Sequence, residues 1–401
     1  MNWRFLLIQA FFVLFTLGVV LRLGYWQVVK GADLAAEAAW QRQSFLELPS
    51  PRGAILSSDG FPLVTNQEAY LLYINPRQFT FSEKLSQLLP ASASARLSDI
   101  PPNLGWYLIA RHLSVSVRNQ VQSLRLAGVG FEPDPNRLYP EASSSAQLLG
   151  FVGQDSAGHP QGYFGLEGYY NRQLVGVPGK LVQEKDALNR PILIGIQDYL
   201  APQSGSTLTT SIDRTLQFIA YQKLAAALTR YGAVSGTVTI MEPSTGRILA
   251  MVSLPTYDPS LFSRFNPELY KNPTISDFFE PGSTFKTLVM AAALDAQVIQ
   301  PDTVCDICTG PVAVSDYVVK TWNDKYYPKS TMTEVIQHSD NVGMVFVSRR
   351  LGKHKLISYL KKFGLGQPTG VDLQEESTPQ IRSGSTWVDI DLATASFGQG
   401  I

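Results

Sequence analysis

Cysteine, charge and basic runs are what this chain of 401 residues has little of. Its two cysteines, Cys305 and Cys308, form one C-x-x-C. That is too few for a disulfide framework, so the cores must hold themselves by packing. A structural zinc would need two further ligands, and His112, His159, His338 and His354 show no paired spacing, so neither metal nor cofactor is expected. A local disulfide or two inert thiols remain the expectation for the pair, ahead of a redox motif. Charged residues make up 16% of the chain, and 33 basic side chains balance 33 acidic ones. This is well below the usual share of about 25% and excludes a disordered polyelectrolyte. No basic run is present to neutralise phosphates, so no nucleic-acid partner is expected. The 31 Gly and 25 Pro follow no period, against collagen-like and low-complexity classes. What is present is 45% hydrophobic residues, enough to fill more than one core, and a length that suits two to four domains.

From Phe5 to Leu21 the chain carries no charge, and Arg22, Tyr25 and Trp26 follow. At 1.5 Å per residue this run spans about 25 Å, and the interfacial aromatics extend it towards the thickness of a bilayer core. The competing reading is a cleaved signal peptide, but the nearest small-x-small site, Ala36-Glu37-Ala38, lies beyond Arg22, Trp26 and Lys30. An uncleaved anchor is therefore expected. Arg4 on one side and Arg22 with Lys30 on the other leave its orientation open to the positive-inside rule.

Residues 31–49 suit a helix leaving the membrane, broken at Pro51-Arg52-Gly53. From 52 to about 200 the pattern is mixed, with a strand at Tyr70 to Ile74, turns at Asn75-Pro76 and Asp134-Pro135-Asn136, and helical patches at 84–89 and 116–126. Beyond the loop Ala201 to Ser206, Leu216, Ala220, Leu224 and Leu228 recur every fourth residue, as on a helix. Val234 to Ile240 and Arg247 to Ser253 read as two strands about a turn. Helix, hairpin and further helices in that order point to an α+β domain.

Ser283-Thr284-Phe285-Lys286 opens a stretch in which Phe285, Leu288, Val289 and Ala292 form one apolar stripe. At i, i+3 the hydroxyl and the amine share a helix face. A serine becomes a strong nucleophile when a base takes its proton, and a desolvated lysine can be that base. Alone, S-x-x-K more often means a capping serine and a surface lysine. Ser339-Asp340-Asn341 follows 53 residues after Lys286, between a helix ending near Gln337 and one running from Val342 to Leu351 with Gly352 as its stop. Such a loop can present the Ser339 hydroxyl for proton relay and the Asn341 carboxamide to a substrate amide. The two motifs at this order and distance are specific.

On these residues the chain resembles the class B penicillin-binding proteins, the serine D,D-transpeptidases that cross-link peptidoglycan. The likeness extends over Pro51-Arg52-Gly53-Ala54-Ile55, Arg137-Leu138-Tyr139-Pro140, Leu149-Gly150-Phe151-Val152, Gly165-Leu166-Glu167 and Leu174-Val175-Gly176. It continues through Ile212 to Gln217, Pro243 to Met251, Pro281 to Lys286, Phe363 to Gly366 and Phe397 to Gly400. It implies an α+β chain with a transmembrane signal anchor at 1–30 and a juxtamembrane linker at 31–50. An elongated, non-catalytic pedestal of dimerisation type would follow at 51–200, then a serine β-lactamase-like transpeptidase domain, an antiparallel sheet with helices, from 201 to 401. Ser283 would be the acylated nucleophile, Lys286 its base, Ser339 the relay and Asn341 a contact to the stem peptide. D-Ala-D-Ala stem peptides on a lipid-linked polymer would be substrates and β-lactams inhibitors. A membrane glycosyltransferase of elongation or division would be a partner, and the catalytic domain would lie outside the cytoplasmic membrane.

Such enzymes carry a third motif, K-[ST]-G, on a strand lining the cleft. The chain ends at Ile401, directly after the Gly398-Gln399-Gly400 that precedes that strand in the family. Lys329-Ser330-Thr331 lacks the glycine; Arg382-Ser383-Gly384 lacks the lysine and comes too early. The expectation is a C-terminally incomplete transpeptidase domain, inactive as given. A catalytically impaired scaffold is the alternative function. A β-lactam-hydrolysing or sensing relative is disfavoured, because those proteins lack the segments between Arg52 and Gly176.

Overall fold

The computed structural model describes residues 3–141, 144–184, 197–382 and 384–401. Helix α1 (Trp3–Gly24) runs into a π-helical turn, Tyr25–Val29, and none of the 27 residues from Trp3 to Val29 is buried against protein. With a mean hydropathy of 2.3, this helix is long and apolar enough to cross a membrane, as the anchor of a single-pass protein must be. The Arg22 guanidinium stands 5.8 Å from the Tyr25 ring and 5.2 Å from the Trp26 ring. This places a charge and two amphipathic rings together at one end of the apolar stretch.

Helix α2 (Gly31–Arg42) stops earlier than expected, because β1 (Gln43–Leu48) is already extended. Residues 31–49 are therefore a helix followed by a strand, not the single helix expected from the sequence. The segment has good local helix propensity, but Gln43–Leu48 gain a full antiparallel ladder to Gly179–Glu184, which local propensity does not register.

The chain forms two compact units, one of residues 1–142, 152–161 and 170–214, the other of 143–151, 162–169 and 215–401. In the first, β2 (Ala69–Ile74) lies between two later strands of a three-stranded sheet covered by helices. These elements are α3 (Glu83–Leu88), β3 (Tyr107–Ser114), α4 (Val115–Ser123) and β4 (Val129–Pro133). Leu72, Ile74 and Ile109 from the sheet meet Leu85 and Val121 from the helices in one core, each helix capped by its preceding serine, Ser82 or Ser114. A second sheet sets β5 (Gly179–Glu184) between β1 and β6 (Gln197–Leu200). Arg52-Gly53 is a junction. The Arg52 guanidinium donates to Asn171 Oδ1 at 2.9 Å, and a Cβ on Gly53 would lie 1.9 Å from the Ser206 carbonyl oxygen, so only glycine lets these backbones meet.

In the second unit, Ala220 and Leu224 of α5 (Arg214–Tyr231) pack on the hairpin of β7 (Gly236–Met241) and β8 (Ile248–Leu254). Helix and hairpin fall where the sequence predicts them. Buried Gln217 acts as a short substitute strand: it accepts from the Met251 amide and donates to the carbonyls of Met251 and Ser144, each at 2.8 Å. Beyond these lie α6 (Lys286–Asp295), α7 (Met332–Gln337), α8 (Asn341–Leu351), α9 (Lys353–Lys362) and α10 (Asp389–Ala395). Helix α8 is the centre of the helical core, buried at every position from Val342 to Ser348 and packed on α6, α9 and α10. Cys305 and Cys308 form a disulfide whose two residues are fully buried in the same core.

Candidate active site

Pro281 leads into a single 3₁₀ turn, Gly282–Phe285, that winds directly into α6. The turn separates its side chains by the apolar stripe: Phe285 and Lys286 face the core, whereas Ser283 and Thr284 are exposed. Ser283 lies at the start of the turn, where amides lack acceptors within the helix. The Lys286 amide returns to the Ser283 carbonyl. Among the described residues no hydrogen bond joins the Ser283 hydroxyl to the Lys286 amine.

Lys286 is 2% exposed, although lysines avoid the interior unless paired. Its amine donates to the Ser339 carbonyl at 2.6 Å, to Asn341 Oδ1 at 2.7 Å and to Ser339 Oγ at 3.1 Å. Three acceptors match the three protons of an ammonium. Burial nevertheless pulls the amine down from its ordinary value to about 8, with the negative charge of Asp340 opposing the shift. The neutral form is thus reachable near physiological pH. In that form the Ser339 hydroxyl, at the longest of the three contacts, can reverse its role and donate to the amine.

The Ser339 backbone is held in the left-handed region at φ +53°. The reason is local. The amides of Ser339 and Asp340 close α7 on the carbonyls of Ile336 and Val335, and Asp340 then caps α8, accepting from Val342 at 2.7 Å and Gly343 at 3.2 Å. The reversal between two abutting helices turns the Ser339 carbonyl and hydroxyl and the Asn341 amide oxygen towards Lys286. Asn341 Nδ2 donates to the Lys320 carbonyl at 3.0 Å, which fixes the amide orientation.

Sequence reasoning thus named Ser283, Lys286, Ser339 and Asn341, and the last three meet directly. It gave no role to Asp340 or Lys320. Asp340 carried a signal, an aspartate immediately before a helix, whereas a backbone carbonyl such as that of Lys320 has no side-chain signature. Of the two segments resembling a third motif, Ser330 is buried and donates to the Tyr327 carbonyl at 2.6 Å, and Arg382 pairs with Asp391 at 2.9 Å. Ser383 lies outside the described residues.

A family model for the penicillin binding protein transpeptidase domain matches residues 236–401, and one for the penicillin-binding protein dimerisation domain matches 47–210. The chain is 33% identical to the stage V sporulation protein D of Bacillus subtilis over 99% of its own length and 62% of that protein's. It is 31% identical to the probable peptidoglycan D,D-transpeptidase PbpC of Pseudomonas aeruginosa, over 100% of this chain and 71% of that one. The chain belongs to the class B penicillin-binding proteins. Penicillin-binding protein 2 of Helicobacter pylori, solved in complex with MreC, has the same fold, with a TM-score of 0.69 and 20% identity over 89% of this chain and 73% of that one. In this penicillin-binding protein the transpeptidase match encloses the 3₁₀ turn with Ser283, α6 with Lys286, the α7–α8 connection with Ser339, and α8, which Asn341 opens.

Proposed function

We propose that this penicillin-binding protein cross-links peptidoglycan through an acyl-enzyme on Ser283. The Ser283 hydroxyl attacks the carbonyl of the penultimate D-alanine of a stem peptide, passing its proton to neutral Lys286. The terminal D-alanine leaves as its amine is protonated through Ser339 and Lys286, and a second stem's amine then attacks the ester and restores the serine. Asn341 offers its amide to the stem peptide, and the Ser283 backbone amide is one donor to the oxyanion. β-Lactams acylate the same hydroxyl. The observation that supports this reading most is the buried Lys286 amine, pulled down to about 8 and bonded to Ser339 and Asn341. The catalytic unit works outside the cytoplasmic membrane, beside the lipid-linked polymer, with a membrane glycosyltransferase of the elongation or division machinery as its partner.

Intact-mass measurement of the full-length protein after penicillin treatment tests the assignment. One adduct is expected, absent in Ser283→Ala; an adduct that persists in that variant overturns it.

A further inference from the structure

One and three residues upstream of the nucleophile, the chain is gripped by a turn more than a hundred residues away. The Gly282 amide donates to the Gly398 carbonyl at 3.0 Å, and Glu280 Oε1 accepts from the Gly400 amide at 2.9 Å. The two bonds flank Pro281, which has no amide to give. Gly398 sits at φ +78°, and a Cβ there would lie 2.2 Å from the Gly282 carbonyl oxygen, so the two backbones are in direct contact. The turn is itself fixed: the amides of Gly398 and Gln399 return to the carbonyls of Ala395 and Thr394 at the end of α10. Arg382, paired with Asp391 on α10, reaches the Gly400 carbonyl at 3.5 Å.

From this we infer that Glu280 is a positioning residue for acylation, holding the 398–400 turn against Gly282 so that the Ser283 amide and hydroxyl keep their place at the head of α6. The carboxylate touches no reacting group. It acts by fixing the residue before the nucleophile: Gly282 is left-handed at φ +60° with open space where a side chain would stand, so it has no packing of its own, and the Thr284 hydroxyl adds only a local bond to the Pro281 carbonyl at 2.6 Å. A displacement of the nucleophile by a fraction of an ångström to about 1 Å lowers rates by up to about 10².

The inference rests on Ser283 being the acylated residue, and the experiment separates the two. Acylation of the full-length protein by a fluorescent penicillin is followed by stopped flow, giving the non-covalent dissociation constant and the acylation rate constant separately. Labelling of the parent and its loss in Ser283→Ala tests the underlying reading. For Glu280→Ala, the acylation rate constant is expected to fall about tenfold or more while the dissociation constant moves less than about threefold. Glu280→Gln, whose amide oxygen still accepts from Gly400, is expected to recover most of the rate. Gly398→Ala, which forces the turn off Gly282, should reproduce the loss, and the double variant should lose less than the product of the two. Glu280→Ala acylating within twofold of the parent overturns the inference. So does Glu280→Gln losing as much as Glu280→Ala, since then charge at the helix start rather than the clasp to Gly400 would be responsible.

Discussion

At the scale of single residues, the chemistry turns on one amine with two demands on it. Burial favours neutral Lys286 and Asp340 favours the ammonium, and burial is the larger influence. Acylation is therefore expected to rise about tenfold per pH unit and to level off near pH 8, where the amine loses its proton. Asp340→Asn keeps an oxygen to cap α8 but removes the negative charge, so the midpoint of the pH profile should move down; a midpoint that stays or rises would refute the electrostatic role. The same displacement affects stability with a definite sign. Below about pH 8 folded and unfolded chains both carry the charge and the fold bears the full cost of burying it. Between about 8 and the ordinary lysine value of 10.5 the unfolded chain binds more protons, so stability rises with pH. Ser283, Lys286, Ser339 and Asn341 were legible as residue types at fixed spacing. The desolvation of Lys286 was legible too, from the buried helix face it lies on; the opposing pull of Asp340 was not, because that carboxylate is 54 positions away in sequence and spacing does not encode its approach.

At the scale of elements, the legible parts are those whose partners are close in the chain. The stripe on α5, the β7–β8 hairpin and the stop of α8 at Gly352, with φ +76°, all follow local rules. What escaped is what distant pairing decides: β1 reads as helix until Gly179–Glu184 is laid beside it, and Gln217 reads as one more polar position on a helix. The structure makes Gln217 the hydrogen-bonding partner of a strand. Gln217→Leu leaves the Met251 amide and carbonyl and the Ser144 carbonyl without this partner, at about 1–3 kcal/mol for each buried group left unmade. A fall in melting temperature larger than that of a surface Gln→Leu control on the same helix is expected, and an unchanged melting temperature would show that the bridge contributes nothing.

At the scale of the whole molecule, the chain spans 62% of the sporulation protein and 71% of the Pseudomonas transpeptidase. Within that span it combines one apolar helix, the dimerisation region and the transpeptidase region. Alkaline carbonate should fail to extract the protein from membranes, and protease added outside spheroplasts should degrade it; resistance to that protease would place the bulk on the inner side. The helix at Trp3–Val29, which among the described residues has no position buried against protein, bears on encounter rates. A protein held by such a helix explores a surface instead of a volume, and a polymer carried on a lipid explores the same surface. Their meeting then depends on numbers per unit area and on lateral diffusion. A drug arriving from solution obeys the ordinary three-dimensional law, so with the proposed acylation at Ser283, cross-linking and inhibition would scale differently when the cell changes its surface relative to its volume.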